Sequence, residues 1–153
     1  MSFEVSIIPM SEHHVNDVLE IDHLTNPSPT PGSLFIKEIT NPAHIMLVAT
    51  GSSKVLGFCS AQIVSDELHI HSIAVSPEYR RNSIATKILN ELINKSKFHN
   101  IKSATLEVRE SNEVAIGLYE KFGFVVEGER PNYYSNNNET ALLMWNRNLK
   151  EMS

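Results

Sequence analysis

A chain of 153 residues lies within the size of one domain and can bury a sizeable core, so no second domain is required. With 41% hydrophobic and 20% charged residues it is not a disordered chain, which lacks the apolar content to build a core. A formal net charge of -5, with no Lys/Arg-rich run beyond the pair Arg80-Arg81, argues against direct binding to nucleic acid.

At the N-terminus, Met1 to Pro9 carries Glu4 and lacks a basic start, a long apolar core and a small-residue cleavage site, so neither export nor membrane insertion is expected. Phe3, Val5 and Ile7 alternate with Glu4 and Ser6, which predicts a first strand. Ser11 or Glu12 then opens a helix reaching about Leu24. The segment from Asn26 to Gly32 is rich in proline and predicts a loop before a second helix over Ser33 to Ile39. His44 to Thr50, Val55 to Ser65 and Leu68 to Val75 read as three strands in meander order. Gly51-Ser52-Ser53-Lys54 and Asp66-Glu67 form the turns between them. Cys59, in the second of these strands, is the sole cysteine; no disulfide can form, and a reducing cytoplasm is the expected setting.

From Ile84 the apolar residues Ile84, Ala85, Ile88, Leu89, Leu92 and Ile93 recur at helical spacing. Ala104, Leu106 and Val108 alternate with Thr105, Glu107 and Arg109, so the unit reads strand, helix, parallel strand with a right-handed crossover. Ala115, Leu118, Tyr119 and Phe122 line one face of a fourth helix, with Ser111 or Asn112 as its N-cap and Gly123 where a left-handed C-terminal residue is needed. Phe124 to Glu129 and Ala141 to Asn148 predict two final strands around the polar turn Ser135 to Glu139.

Two segments carry chemistry. Ser72-Ile73-Ala74-Val75-Ser76-Pro77-Glu78-Tyr79-Arg80-Arg81-Asn82-Ser83-Ile84-Ala85-Thr86 joins a strand to a helix N-terminus. Backbone N–H groups, the helix dipole and Arg80 or Arg81 can bind a pyrophosphate there, although from the residues alone a basic turn ahead of an amphipathic helix is the slightly better reading. The second segment is Leu106-Glu107-Val108-Arg109-Glu110-Ser111-Asn112, continuing through Leu118-Tyr119 to Phe122-Gly123-Phe124. Glu107 on the polar side of a strand reads by default as a solvated carboxylate, and Tyr119 on an apolar helix face as a core aromatic. His69 and His71 share one side of a strand without an evident third ligand, so no metal is expected. Cys59 reads as a small buried hydrophobe without a His-Asp partner pattern.

Together, Ile73 to Phe124 resembles the GNAT acetyltransferases, and Leu106 to Phe124 is similar to their RimI and Ard branches, which acetylate protein N-termini. The likeness continues through Pro131-Asn132-Tyr133-Tyr134. It implies a GNAT α/β fold, a mixed sheet of about seven strands with helices on both faces, and acetyl-coenzyme A as cosubstrate. By the same resemblance Arg80-x-x-Ser83-x-Ala85 corresponds to the pyrophosphate loop, with Arg81, Asn82, Ile84 and Thr86 part of that turn and Ser83 standing where the family has glycine. Ile73, Ala74 and Val75 match the strand whose backbone pairs with the pantetheine arm, and an N–H near Val75 meets the oxyanion. Asn112 and Tyr119 match cofactor contacts.

The resemblance further implies Glu107 as general base and Tyr119 as general acid. The chemistry is consistent with both roles. An α-ammonium of pKa about 8 must lose a proton before it attacks, and a leaving thiolate gains from a proton donor. Tyr133, Tyr134 and, by position, Leu24 correspond to the walls of a peptide groove, although from the residues alone Tyr133 and Tyr134 read equally well as a hairpin-flanking aromatic pair. The implied substrate is a protein or peptide N-terminus. A small-molecule amine or lysine side chain, a non-catalytic acyl-coenzyme A-binding module, a homodimer and an auxiliary subunit all stay open.

Overall fold

Local turn and cap chemistry sets most element boundaries in the computed structural model, which describes residues 4–26, 30–80 and 83–149. The strands are β1 (Ser6–Pro9), β2 (His44–Gly51), β3 (Lys54–Val64), β4 (Glu67–Val75), β5 (Ser103–Arg109), β6 (Val125–Tyr134) and β7 (Glu139–Asn146). The helices are α1 (Val15–Thr25), α2 (Gly32–Ile39), α3 (Ile84–Lys97) and α4 (Glu113–Lys121), with short 3-10 turns at Glu12–His14 and Pro77–Tyr79. The strands make one mixed sheet in the order β1-β2-β3-β4-β5-β7-β6, in which β4 and β5 run parallel. The expected mixed α/β fold is therefore present. The chain groups into two compact units, Met1–Gln62 with Ser72–Asn94, and Ile63–His71 with Lys95–Ser153.

In the first unit, Met10, Val15, Val18, Ile21, Phe35, Met46, Val48 and Phe58 form a continuous apolar core, and Phe35 meets Phe58 edge to face at 5.7 Å. The α1 region starts where Ser11 suggests: His14 Nδ1 accepts from the Ser11 N–H at 3.0 Å, closing a capping box. The β2–β3 hairpin turns on Ser52 and Ser53 at φ 51° and 63°, both left-handed, as a two-residue turn matched to strand twist demands. The first strand begins at Ser6, later than the alternation from Phe3 implies, and Phe3 lies outside the described residues.

Asp22, 2% exposed on α1, accepts from the Thr30 N–H at 2.7 Å and from Asn26 Nδ2 at 3.3 Å. It thereby ties the end of α1 to the start of the next segment. A buried carboxylate with these donors is satisfied, and removing it would take that acceptor from the Thr30 amide.

In the second unit, alternation sorts the faces. Leu68, Ile70, Ala104, Leu106, Val108 and Met144 are buried. The intervening positions His69, Thr105, Trp145 and Val125 form a row across β4, β5, β7 and β6 by direct pairing. The α4 boundaries are the expected ones: Asn112 caps it by accepting from the Ala115 N–H at 3.2 Å, and Gly123 has φ 83°.

The last hairpin differs from expectation. β6 continues through Pro131 to Tyr134 instead of stopping near Glu129, because irregularities at Val126/Gly128 and Arg130/Tyr134 absorb the residues that break simple alternation. Asn132, at φ 57°, supplies the left-handed step, and β6 is an edge strand where proline removes no needed donor. β7 ends at Asn146 rather than Asn148. The Asn146 side chain donates to the Phe122 carbonyl at 2.8 Å and accepts from the Asn148 N–H at 2.9 Å, forming a polar turn in place of further ladder.

Candidate active site

The site residues expected from sequence fall into two sets, one in each unit. In the first unit, β4 ends with Ile73, Ala74 and Val75, all half-buried, and the chain then passes through the Pro77–Tyr79 turn to Arg80, which is exposed. Arg81 and Asn82 lie outside the described residues. Ser83 is exposed and stands immediately before α3, where its carbonyl accepts from the Lys87 N–H at 3.1 Å. The first-turn amides of α3, including those of Ile84, Ala85 and Thr86, have no acceptor within the helix and present a positive dipole end.

Ser83 has φ 59°. The left-handed step that the family glycine would make is therefore made here by serine. A non-glycine residue in this region carries about 1–2 kcal/mol of strain.

A residue not foreseen from sequence shapes the strand beside this turn. A Cβ built on Gly57 of β3 would sit 2.7 Å from the Ala74 carbonyl oxygen and 3.3 Å from the Val75 Cα. Glycine thus permits β3 to lie directly against the backbone segment expected to pair with the pantetheine arm. The neighbouring Leu56 carbonyl accepts from the Ser76 N–H at 2.8 Å and fixes the exit of β4. Leu24, assigned by position to the peptide groove, is 63% exposed near the end of α1.

In the second unit, Glu107 is exposed on β5 opposite Leu143 of β7. The structure brings it together with one of the two expected tyrosines. The Glu107 carboxylate lies close enough to the Tyr133 phenol that their interaction, more than burial, holds the phenol above its ordinary pKa. Tyr133 and Tyr134 stack edge to face at 5.1 Å, and Arg130 lies 5.8 Å over the Tyr133 ring. Burial likewise raises the Tyr134 phenol, opposed by the Arg109 charge 3.9 Å from its ring. Both phenols remain protonated at neutral pH and are hydrogen-bond donors.

Tyr119 is placed differently. Its side chain is 8% exposed on α4, 6.0 Å from the Phe124 ring, and its carbonyl accepts from the Phe122 and Phe124 N–H groups at 3.0 Å each. The core aromatic and the candidate acid are thus one residue. The Asn112 side-chain oxygen is engaged in the α4 cap, its structural role.

Two other features sort cleanly. His69 Nε2 pairs with Glu67 Oε1 at 3.0 Å while its ring meets Trp145 edge to face at 6.5 Å. Among the described residues no group of three His, Cys, Asp or Glu side chains is arranged to hold a metal. Cys59 is fully buried, and burial pushes its thiol up to about 12, which removes the thiolate a nucleophile requires. Among the described residues no helix is long and apolar enough to cross a membrane.

Comparison with known proteins bears on the family and the fold. The family model of the GNAT acetyltransferases matches residues 15–124. A Bacillus subtilis (strain 168) protein proposed to be a ribosomal protein bS18-alanine N-acetyltransferase is 35% identical over 95% of this chain and 97% of its own length. The crystal structure of the ribosomal-protein-S18-alanine N-acetyltransferase from Escherichia coli superimposes with a TM-score of 0.85 at 28% identity, covering 93% of this chain and 92% of that one. Ard1 from Thermoplasma volcanium gives a TM-score of 0.85 at 27% identity over 92% and 95% of the two chains.

Proposed function

The chain belongs to the GNAT acetyltransferase family and uses acetyl-CoA as cosubstrate, and from that premise we propose that the amine it acetylates is the N-terminal α-amine of a protein. The observation that carries this reading is the exposed Glu107 carboxylate interacting with the phenol of Tyr133, with Tyr134 beside it. A carboxylate flanked by two phenol donors suits a peptide end, which offers an ammonium to deprotonate and backbone carbonyls to accept hydrogen bonds. The relatives whose names specify an alanine N-terminus of a ribosomal protein favour the same class of substrate and suggest a small first residue.

Residues of the first unit fit the cosubstrate. The left-handed Ser83, the first-turn amides of α3, which have no acceptor within the helix, and Arg80 suit an anion site for a pyrophosphate, and the half-buried backbone of Ile73 to Val75 suits an amide-bearing arm. In the proposed reaction Glu107 accepts the ammonium proton through water, and the freed lone pair attacks the acetyl carbonyl. An N–H near Val75 stabilises the oxyanion. As the carbon–sulfur bond breaks, Tyr119 delivers a proton to the sulfur and regains one from solvent, while the second nitrogen proton leaves to water. No covalent enzyme intermediate is needed.

A library of peptides with varied first residues, incubated with acetyl-CoA and read by mass spectrometry, tests the substrate class. Acetyl groups on α-amines, strongest with small first residues, are expected. Modification confined to lysine side chains or to small amines would replace this reading with the GNAT alternatives.

A further inference from the structure

Arg109 reaches across to the hairpin that joins β6 and β7. Its Nη1 donates to Asn137 Oδ1 at 3.2 Å and to Glu139 Oε1 at 3.3 Å, its Nη2 donates to Asn136 Oδ1 at 2.9 Å, and its Cζ stands 3.9 Å from the centre of the Tyr134 ring. Glu139 carries the tie back to the β5–α4 junction, since its Oε2 accepts from the Ser111 N–H at 2.7 Å. Asn137 Oδ1 in turn accepts from the Glu139 N–H at 3.1 Å, so the turn is braced from within. Arg109 and Glu107 are two apart on β5, and their side chains therefore share a face.

We propose that Arg109 is a positioning residue that locks the tyrosine-bearing hairpin over the face presenting Glu107, and so sets recognition of the amine substrate. The inference rests on reading Tyr133 and Tyr134 as peptide contacts. Asn132 explains why such a lock is needed. It makes a left-handed step inside β6 between Arg130 and Tyr134, where ladder pairing is irregular, so strand hydrogen bonds alone do not fix where the two rings point. A guanidinium suits the task because its planar fork serves several acceptors in fixed geometry and stacks on an aromatic ring. Lysine cannot do both. Loss of positioning of this kind costs a peptide substrate roughly 10- to 100-fold in kcat/KM.

The test compares wild type, Arg109→Ala, Arg109→Lys, Tyr134→Ala and the Arg109→Ala/Tyr134→Ala double variant. Steady-state kinetics on an N-terminal peptide is combined with amide hydrogen exchange at Ser111, at Glu139 and at Asn138, whose N–H donates to the Tyr134 carbonyl at 2.8 Å. The expected result is a raised peptide KM in Arg109→Ala, partial recovery in Arg109→Lys, an acetyl-CoA KM within about twofold of wild type, and faster exchange at those amides. In the Tyr134→Ala background the Arg109→Ala loss shrinks. Equal losses toward both substrates, fully additive losses, or unchanged exchange would overturn the positioning role. Wild type that acetylates no N-terminal peptide refutes the substrate reading instead; positioning is then decided by exchange alone, faster exchange supporting it and unchanged exchange ending it.

Discussion

The Tyr133 phenol interacts with the Glu107 carboxylate although the two residues sit on β6 and β5, with β7 between them in the sheet. The contact exists because β6 departs from regular pairing just before Tyr133, which frees the ring to reach over its neighbouring strand. A candidate base and a candidate substrate contact are thus coupled by main-chain irregularity rather than by sequence proximity.

Gly57 sets the second point of control. Gly57→Ala places a methyl 2.7 Å from the Ala74 carbonyl oxygen, so either β3 or the end of β4 must move. Overpacking of this kind costs about 1–3 kcal/mol. Urea denaturation should show that loss, and calorimetric titration with coenzyme A should show weakened binding, since the displaced backbone is the one expected to meet the pantetheine arm. Unchanged affinity would separate Ala74 and Val75 from cofactor binding.

Ser83 gives a prediction of opposite sign. At φ 59°, glycine relieves about 1–2 kcal/mol of strain while losing up to about 1 kcal/mol through greater freedom in the unfolded chain. Ser83→Gly should therefore raise stability by up to about 2 kcal/mol and leave or improve coenzyme A affinity. Ser83→Val, β-branched, should lower both. Thermal unfolding with and without coenzyme A reads the two effects apart.

The Glu139 carboxyl is depressed to about 2, chiefly by its hydrogen bonds from Ser111 and further by those from Arg109 and Asn137. A depressed folded-state pKa means the charged form contributes stability above the ordinary carboxylate value of 4.5, and that this contribution is lost as pH falls from there toward about 2. The difference in melting temperature between wild type and Glu139→Gln should be constant from pH 7 to 5 and shrink progressively below 4.5. A difference independent of pH would show that the pairing adds nothing.

Asp22 should behave as a structural anchor. Asp22→Ala takes the buried acceptor from the Thr30 amide, at a cost of about 1–3 kcal/mol. Chemical denaturation measures it directly. Kinetics on peptides should weaken as well if the end of α1, where exposed Leu24 stands, forms a groove wall.

Features governed by neighbours in the chain were legible from sequence. Asn112 and Gly123 bracket α4 as their intrinsic preferences dictate, and the alternation of Ala104 to Arg109 identifies β5 with Glu107 on its exposed side. The motifs also identified the family, whose model spans residues 15–124. What escaped depends on tertiary approach. Gly57 reads as an ordinary strand glycine until the Ala74 carbonyl lies against it. Arg109 shows no partner within its own segment, because Asn136, Asn137 and Glu139 arrive 27, 28 and 30 residues later. β6 was foreshortened because Pro131 and Asn132 look like a strand end, whereas bulges at an edge strand accommodate them.

The central claim is that Glu107 and Tyr119 move the protons of acetyl transfer to an α-amine. Steady-state acetylation of an N-terminal peptide by Glu107→Gln and Tyr119→Phe addresses it most directly. The account predicts that each loses roughly 10²- to 10⁴-fold in kcat, with coenzyme A binding retained. Turnover at the wild-type rate in both variants, with fold intact, would contradict it.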